Sequence, residues 1–203
     1  MRGYSLLRLS VSVLLVWSLL SVAGVFLGRY AIAPLMPVVS MVSYALASSY
    51  TPMLVSSEKD IVMTAYVNEP IYIHDNLTLN PGAKMTAQAD LMHVLVPQIL
   101  LFTVLCVWPV GSWRERLTLL AMGLPASLAI AGLTVPFLLA GKIDVMLIED
   151  ARRAGEDYGT HFLAGWMVVS ESGGRWLLPL IMASLCGFKV SSVLGFKSAL
   201  MSR

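Results

Sequence analysis

Trp108-Pro-Val-Gly-Ser-Trp-Arg-Glu-Arg116 is a short turn set between two long apolar runs. Its two arginines sit among aromatic residues. Tryptophans concentrate at the headgroup level of a bilayer, and Lys and Arg in the short cytoplasmic loops of membrane proteins. Assigning this turn to the cytoplasm therefore fixes the expected side of every other loop.

The composition agrees with a membrane reading. Of 203 residues, 57% are hydrophobic and only 13% charged, against about 25% charged in soluble domains. Several uncharged runs approach the roughly 20 residues needed to cross about 30 Å of hydrocarbon. No basic cluster forms a nucleic-acid footprint. Cys106 and Cys186 both lie in apolar runs, which suits small buried side chains better than a disulfide framework.

Working outward from the turn, span 2 is expected at about 88–110 and span 3 at about 117–140, with Pro125 and Pro136 as kink sites. Toward the N-terminus, Arg2 and Arg8 precede an apolar stretch that starts at Leu6. It outruns the h-region of a signal peptide, roughly 7–15 residues, so it reads as span 1, about 6–28. Gly24-Val-Phe-Leu-Gly28 gives that span a small-xxx-small face for close helix approach. Residues 31–55 are uncharged too, but Pro34 and Pro37 interrupt their start. From Val38 an amphipathic stripe suggests a helix lying on the outer membrane surface.

Residues 58–82 change character. Ile61–Val67 and Ile71–Ile73 are rich in β-formers and bounded by turn signals, predicting two or three short extracytoplasmic strands. Asn76-Leu-Thr78 matches a glycosylation sequon, a motif short enough to arise incidentally. Residues 141–175 are polar again, with helices expected through 143–154 and 158–170. Span 4 is placed at about 175–196, where Lys189 can snorkel to an interface.

The expected architecture is thus a membrane all-α fold with a small extracytoplasmic β element. Its segments are transmembrane helix 1 (1–30), an outer helix and β-hairpin (31–87), a transmembrane hairpin (88–140), outer amphipathic helices (141–174), and helix 4 with its tail (175–203). Four spans put both termini inside with Arg2, Arg8, Arg114, Arg116, Lys189, Lys197 and Arg203, and only Glu115 among the acids. That density of positive charge near span ends fits the cytoplasmic side of a bacterial inner membrane.

Candidate chemistry is sparse. His74, His93 and His161 all fall on the outer side, with Asp75, Asp90 and Asp157 nearby in sequence. Imidazoles with carboxylates can bind zinc or copper, but no paired His spacing is present. His74 otherwise serves a turn, and His93 and His161 are interfacial polar groups. Glu171 and Arg175 stand i,i+4 and would pair on an unbroken helix, although Gly173-Gly174 between them invites a break. The 12 methionines form no tight Met-x-x-Met cluster and suit packing and lipid contact. Neither a nucleophile motif nor a phosphate loop is present. Gln98 and Thr134 are the only clear midplane polar side chains, too few for a selective pathway in one subunit.

The layout resembles the small membrane proteins that accompany bacterial exosortases. The features that carry it are Ala33-Pro-Leu-Met-Pro37 after span 1, the strand-like 61–73 stretch, and Trp108–Trp113 between spans 2 and 3. The resemblance implies a partner role rather than catalysis, since the two cysteines face the wrong side for an exosortase-type site. The expectation is a non-enzymatic subunit without a cofactor, held in the lipid bilayer with other integral membrane proteins and assembling a complex through its outer face. One alternative is a membrane enzyme or metal-handling protein using the three histidines with zinc or copper. Another is an oligomeric channel or transporter associating through Gly24 and Gly28 or through the Pro-kinked span 3.

Overall fold

The computed structural model describes residues 6–57, 59–74, 77–155, 159 and 162–201. The described residues are 72% helical, with a small sheet. The elements run α1 (Leu6–Ile32), α2 (Met36–Leu46), β1 (Tyr50–Ser56), β2 (Asp60–Val67), β3 (Ile71–His74), β4 (Leu77–Leu79) and β5 (Lys84–Asp90). Then come α3 (Leu91–Val107), α4 (Trp113–Arg153), α5 (Phe162–Val169), a π-helical turn (Ser170–Gly174) and α6 (Arg175–Met201). Among the described residues, α1 and α4 are long and apolar enough to cross a membrane. With 17 residues rising about 1.5 Å each, α3 reaches about 25 Å, a little short of a hydrocarbon core.

The chain forms two compact units. The first comprises Met1–Gly28, Leu95–Ile130 and Trp176–Arg203. Its core is Leu101 and Leu105 of α3, Leu119, Ala126 and Ile130 of α4, and Ala183, Cys186 and Val190 of α6. Close approach rests on glycines. A Cβ at Gly123 would sit 2.6 Å from Leu105 Cδ1, and one at Gly187 would collide with the Trp108 ring. Trp108 also meets Phe188 edge-on, with centroids 5.7 Å apart, and Trp17 of α1 stacks on Trp176 at 6.4 Å. Gly24 lies against Ile99, where a Cβ would come within 3.1 Å. At Gly24 the near neighbour is thus α3 of the same chain.

The turn at 108–112 is held from both sides. Ser112 Oγ accepts from the Glu115 N–H at 3.3 Å, and Glu115 Oε2 accepts from the Gly111 N–H at 2.8 Å, a variant of the reciprocal Ser-x-x-Glu cap of a helix start. The Gly111 N–H and then the Ser112 hydroxyl hold the Glu115 carboxyl below its ordinary range. Arg116 reaches back and donates to the carbonyls of Leu105 at 3.0 Å and Cys106 at 2.6 Å. These are among the last α3 carbonyls, which have no helical donor.

The second unit comprises Arg29–Val94 and Ala131–Arg175. Its three-stranded antiparallel sheet has the order β1-β2-β5. The register aligns Leu54 with Met63 and Met63 with Ala87. Ile61, Met63, Ala65 and Val67 alternate inward on β2, as do Met85, Ala87 and Ala89 on β5, so one sheet face is buried and the other wet. β3 and β4 form a separate ribbon. A Cβ at Gly132 of α4 would come within 3.2 Å of Val38 of α2, and Lys142 Nζ donates to the Gln88 carbonyl at 2.8 Å. β5 passes straight into α3, where Asp90 Oδ1 accepts from the Met92 N–H at 2.7 Å. Asp90 is therefore a helix-start cap, as a carboxylate at that end should be.

Several expected boundaries move. The β region spans 50–90 and holds five strands rather than two or three. β1 escapes notice because it is uncharged and continues an apolar run, β5 because Ala and Met fill its buried positions. The outer helix ends at Leu46 rather than about 50, and α3, in the place expected for a second span from about 88, starts at Leu91. Span 3 and the outer helix expected at 143–154 are one 41-residue helix, α4.

Two glycines give contrasting expectations. A Cβ at Gly141 would lie 2.6 Å from the Leu163 carbonyl oxygen, whereas Gly165 has open space. Gly141→Ala should cost about 1–3 kcal/mol by overpacking, while Gly165→Ala should be neutral or stabilise by up to about 1 kcal/mol. Thermal unfolding in detergent separates them, and equal shifts would refute the packing. Arg116→Met keeps the apolar stem and should lower stability by about 1.5–3 kcal/mol, the range for hydrogen bonds from a charged donor. An unchanged Tm would show that the turn closes without it.

Candidate functional site

Among the described residues of the second unit, two clefts are of interest. The smaller brings together residues that the sequence presented as separate candidates. His93 at the start of α3 lines it with Ser170 and Glu171 of the π-helical turn, Arg175 of α6, and Thr134 of α4. Val135 and Leu138 supply its apolar wall. Arg175, Lys142, Glu171 and Asp90 all lie close enough to act on the His93 imidazole electrostatically. The cleft has room for about one water molecule, so it suits a polar junction rather than an organic substrate.

The local chain path follows from the glycines. Gly173 has φ 140°, a region that side chains disfavour, and the helix breaks there as the Gly-Gly pair suggested. Pro97 and Pro179 have no N–H, so neither can donate to the carbonyl four residues earlier. Those carbonyls belong to His93 and Arg175, both at this junction.

The larger cleft encloses about 300 Å³, the lower end of small-molecule sites. Ser48 and Ser49, in the bend after α2, bring two hydroxyls, and Tyr50 opens β1 beside them. Asp144 of α4 supplies the carboxylate. Leu46, Ile71, Leu147, Phe162 and Leu163 form the apolar surface. Burial, and then the charge of Asp144, push the Tyr50 phenol up to about 12. Neither Tyr50 nor Asp144 was singled out from sequence. The available signal was a lone carboxylate inside the apolar Ile143–Ile148 run, with a Ser-Ser-Tyr step at the end of a helix.

Among the described residues, the remaining candidates do not converge. His74 ends β3 in register with Leu77, and His161 falls outside the described residues. Among the described residues, no three His, Cys, Asp or Glu side chains gather as a metal site would require. Gln98 Nε2 donates to the Ser127 carbonyl at 3.3 Å inside the first unit, and Thr134 joins the small cleft.

The raised Tyr50 pKa has a defined pH signature. Its ordinary value is 10, and the fold holds the proton more tightly. Stability from this group is complete below pH 10 and is lost as pH rises through about 12. Alkaline absorbance titration should show one late-ionising tyrosine coupled to loosening between those values, and Tyr50→Phe should abolish both. No family model, curated protein or solved structure matches the chain.

Proposed function

We propose that this chain is a non-enzymatic integral subunit of a bacterial inner-membrane complex. It crosses the bilayer four times with both termini cytoplasmic, and it anchors or assembles partners through its extracytoplasmic face. The observation that carries the reading is the bare apolar surface of the first unit. Leu6, Leu19 and Phe26 of α1 are 82%, 72% and 78% exposed, and Leu177, Ile181, Leu185 and Phe188 of α6 are exposed with them. Each such side chain forfeits about 1.5–3 kcal/mol if left in water. An apolar surface this continuous marks a lipid or protein contact.

Charge supports the same assignment. The first unit holds seven of the 14 basic residues and only one of the 12 acids, Glu115. These are the residues that the positive-inside argument assigns to the cytoplasm. The second unit holds seven basic and eleven acidic residues, a composition suited to the aqueous outer face. The partner role is further supported by the size of the outer elements, whose sheet has three strands and one wet face. An exosortase-type enzyme, suggested by the layout resemblance, is the first partner to test.

Two experiments decide the matter. Alkaline phosphatase fused at residue 82 should be active, and fused at residue 112 inactive, in cells whose membranes retain the protein after carbonate washing. The opposite fusion pattern, or release by carbonate, would overturn the topology. Extraction in mild detergent should co-purify a stoichiometric membrane protein, and a lone monomer under those conditions would sink the assembly role.

A further inference from the structure

We infer that the chain enters the outer leaflet of the membrane at α5, from Phe162 rather than from about 175, and that lipid acyl chains cover the free face of this helix. The inference rests on the membrane-subunit reading and moves the outer boundary of its fourth span.

α5 carries no charged residue, and none of its eight residues is buried. Phe162, Val168 and Val169 are 71%, 55% and 57% exposed, and Gly165 has open space. What covers such a face depends on its depth, and depth can be read along α4. That helix is uncharged from Leu117 to Gly141, which at about 1.5 Å per residue exceeds the roughly 30 Å of hydrocarbon. A hydrocarbon layer centred on this run ends near Leu139. The contacts of α5 with α4 straddle that level. The Leu163 carbonyl oxygen and Met167 Cβ lie 2.6 and 2.7 Å from where a Gly141 Cβ would be. The Trp166 ring meets Phe137 with centroids 5.8 Å apart, and its Nε1 donates to the Leu133 carbonyl at 3.1 Å. Ser170, next in the chain after α5, lines the small cleft with Thr134 and Leu138. The second half of α5, with Val168 and Val169, therefore runs beside the last turns of a helix that crosses hydrocarbon. Water is absent at that depth, and acyl chains are what a bare apolar face meets.

Two local features suit this position. The indole N–H of Trp166 is satisfied by protein, so the ring needs no headgroup partner. The break at Gly173 keeps its backbone bonded, because the Arg175 N–H donates to the Ser170 carbonyl, as a chain in lipid requires. The same depth carries the small cleft of His93, Glu171 and Arg175 below the outer headgroups, since Thr134 and Leu138 line it from α4.

The test uses p-benzoylphenylalanine, which bonds to neighbouring C–H groups when irradiated. It replaces Val168, Val169, Leu185 or Thr86 in separate full-length variants, each irradiated in the native membrane. Leu185 is an exposed residue of α6 and Thr86 an exposed residue of β5. Mass spectra should show a gain of one phospholipid, joined through its acyl chain, at positions 168, 169 and 185, and no gain at 86. Lipid at 185 with only protein adducts, or no adduct, at 168 and 169 would overturn the inference and leave the membrane-subunit reading standing. No lipid at 185 would remove that reading and the inference with it. If a variant at 168 or 169 fails to fold, judged by its Tm, Gly165 takes the probe, because its surroundings are open, and the same outcomes decide.

Discussion

Backbone carbonyls at the end of a helix need donors, and at the end of α3 Arg116 supplies them. Its guanidinium bonds to the Leu105 and Cys106 oxygens from the first turn of the following helix. One side chain thereby satisfies two orphan acceptors and closes the α3–α4 hairpin. The partly exposed cation also sits where a helix dipole favours positive charge. The Ser112–Glu115 cap performs the complementary task for the α4 N–H groups, so both helix ends that meet at this turn are satisfied by side chains within it. The packing of Leu105 on Gly123 and of Cys186 near the Met122 carbonyl at 3.8 Å then builds the first unit around that hairpin.

This turn was legible because its signals are local. Pro109, Gly111 and the charges at 114–116 punctuate two uncharged runs, and Ser112-x-x-Glu115 is a capping pattern that sequence alone can carry. The amphipathic stripe of α2 and the β-formers of β2 were legible for the same reason, since period and propensity act within a few residues. The break at Gly173-Gly174 was also visible, because only glycine tolerates that backbone.

What escaped was decided by partners distant in sequence. β5 is a strand because its Met85, Ala87 and Ala89 fill positions opposite Ala65, Met63 and Ile61, and Ala and Met have no β preference of their own. β1 is uncharged and contains Pro52, so its strand character appears only beside β2. α4 stays helical through Pro125, Pro136 and Gly141 because its neighbours fit against it, with Leu163 and Met167 of α5 packed where a Gly141 side chain would be. The cleft is the extreme case. Tyr50 and Asp144 share no local pattern, and only the fold of the second unit places a carboxylate beside a phenol. His93 and the Glu171/Arg175 pair were noticed separately, but their shared junction follows from the path of the chain.

The seat of Trp108 on Gly187 bears on how such a chain is made. Synthesis completes α3 and α4 well before α6, so the hairpin first exists with its indole and the Leu105 side of its core uncovered. The last helix completes that surface, and Gly187 is the notch that admits the ring. A chain stopped before residue 176 therefore leaves that face of the helix pair uncovered. The C-terminal helix serves as the closing clasp of biogenesis, and its side-chain volume at one position decides whether the clasp shuts.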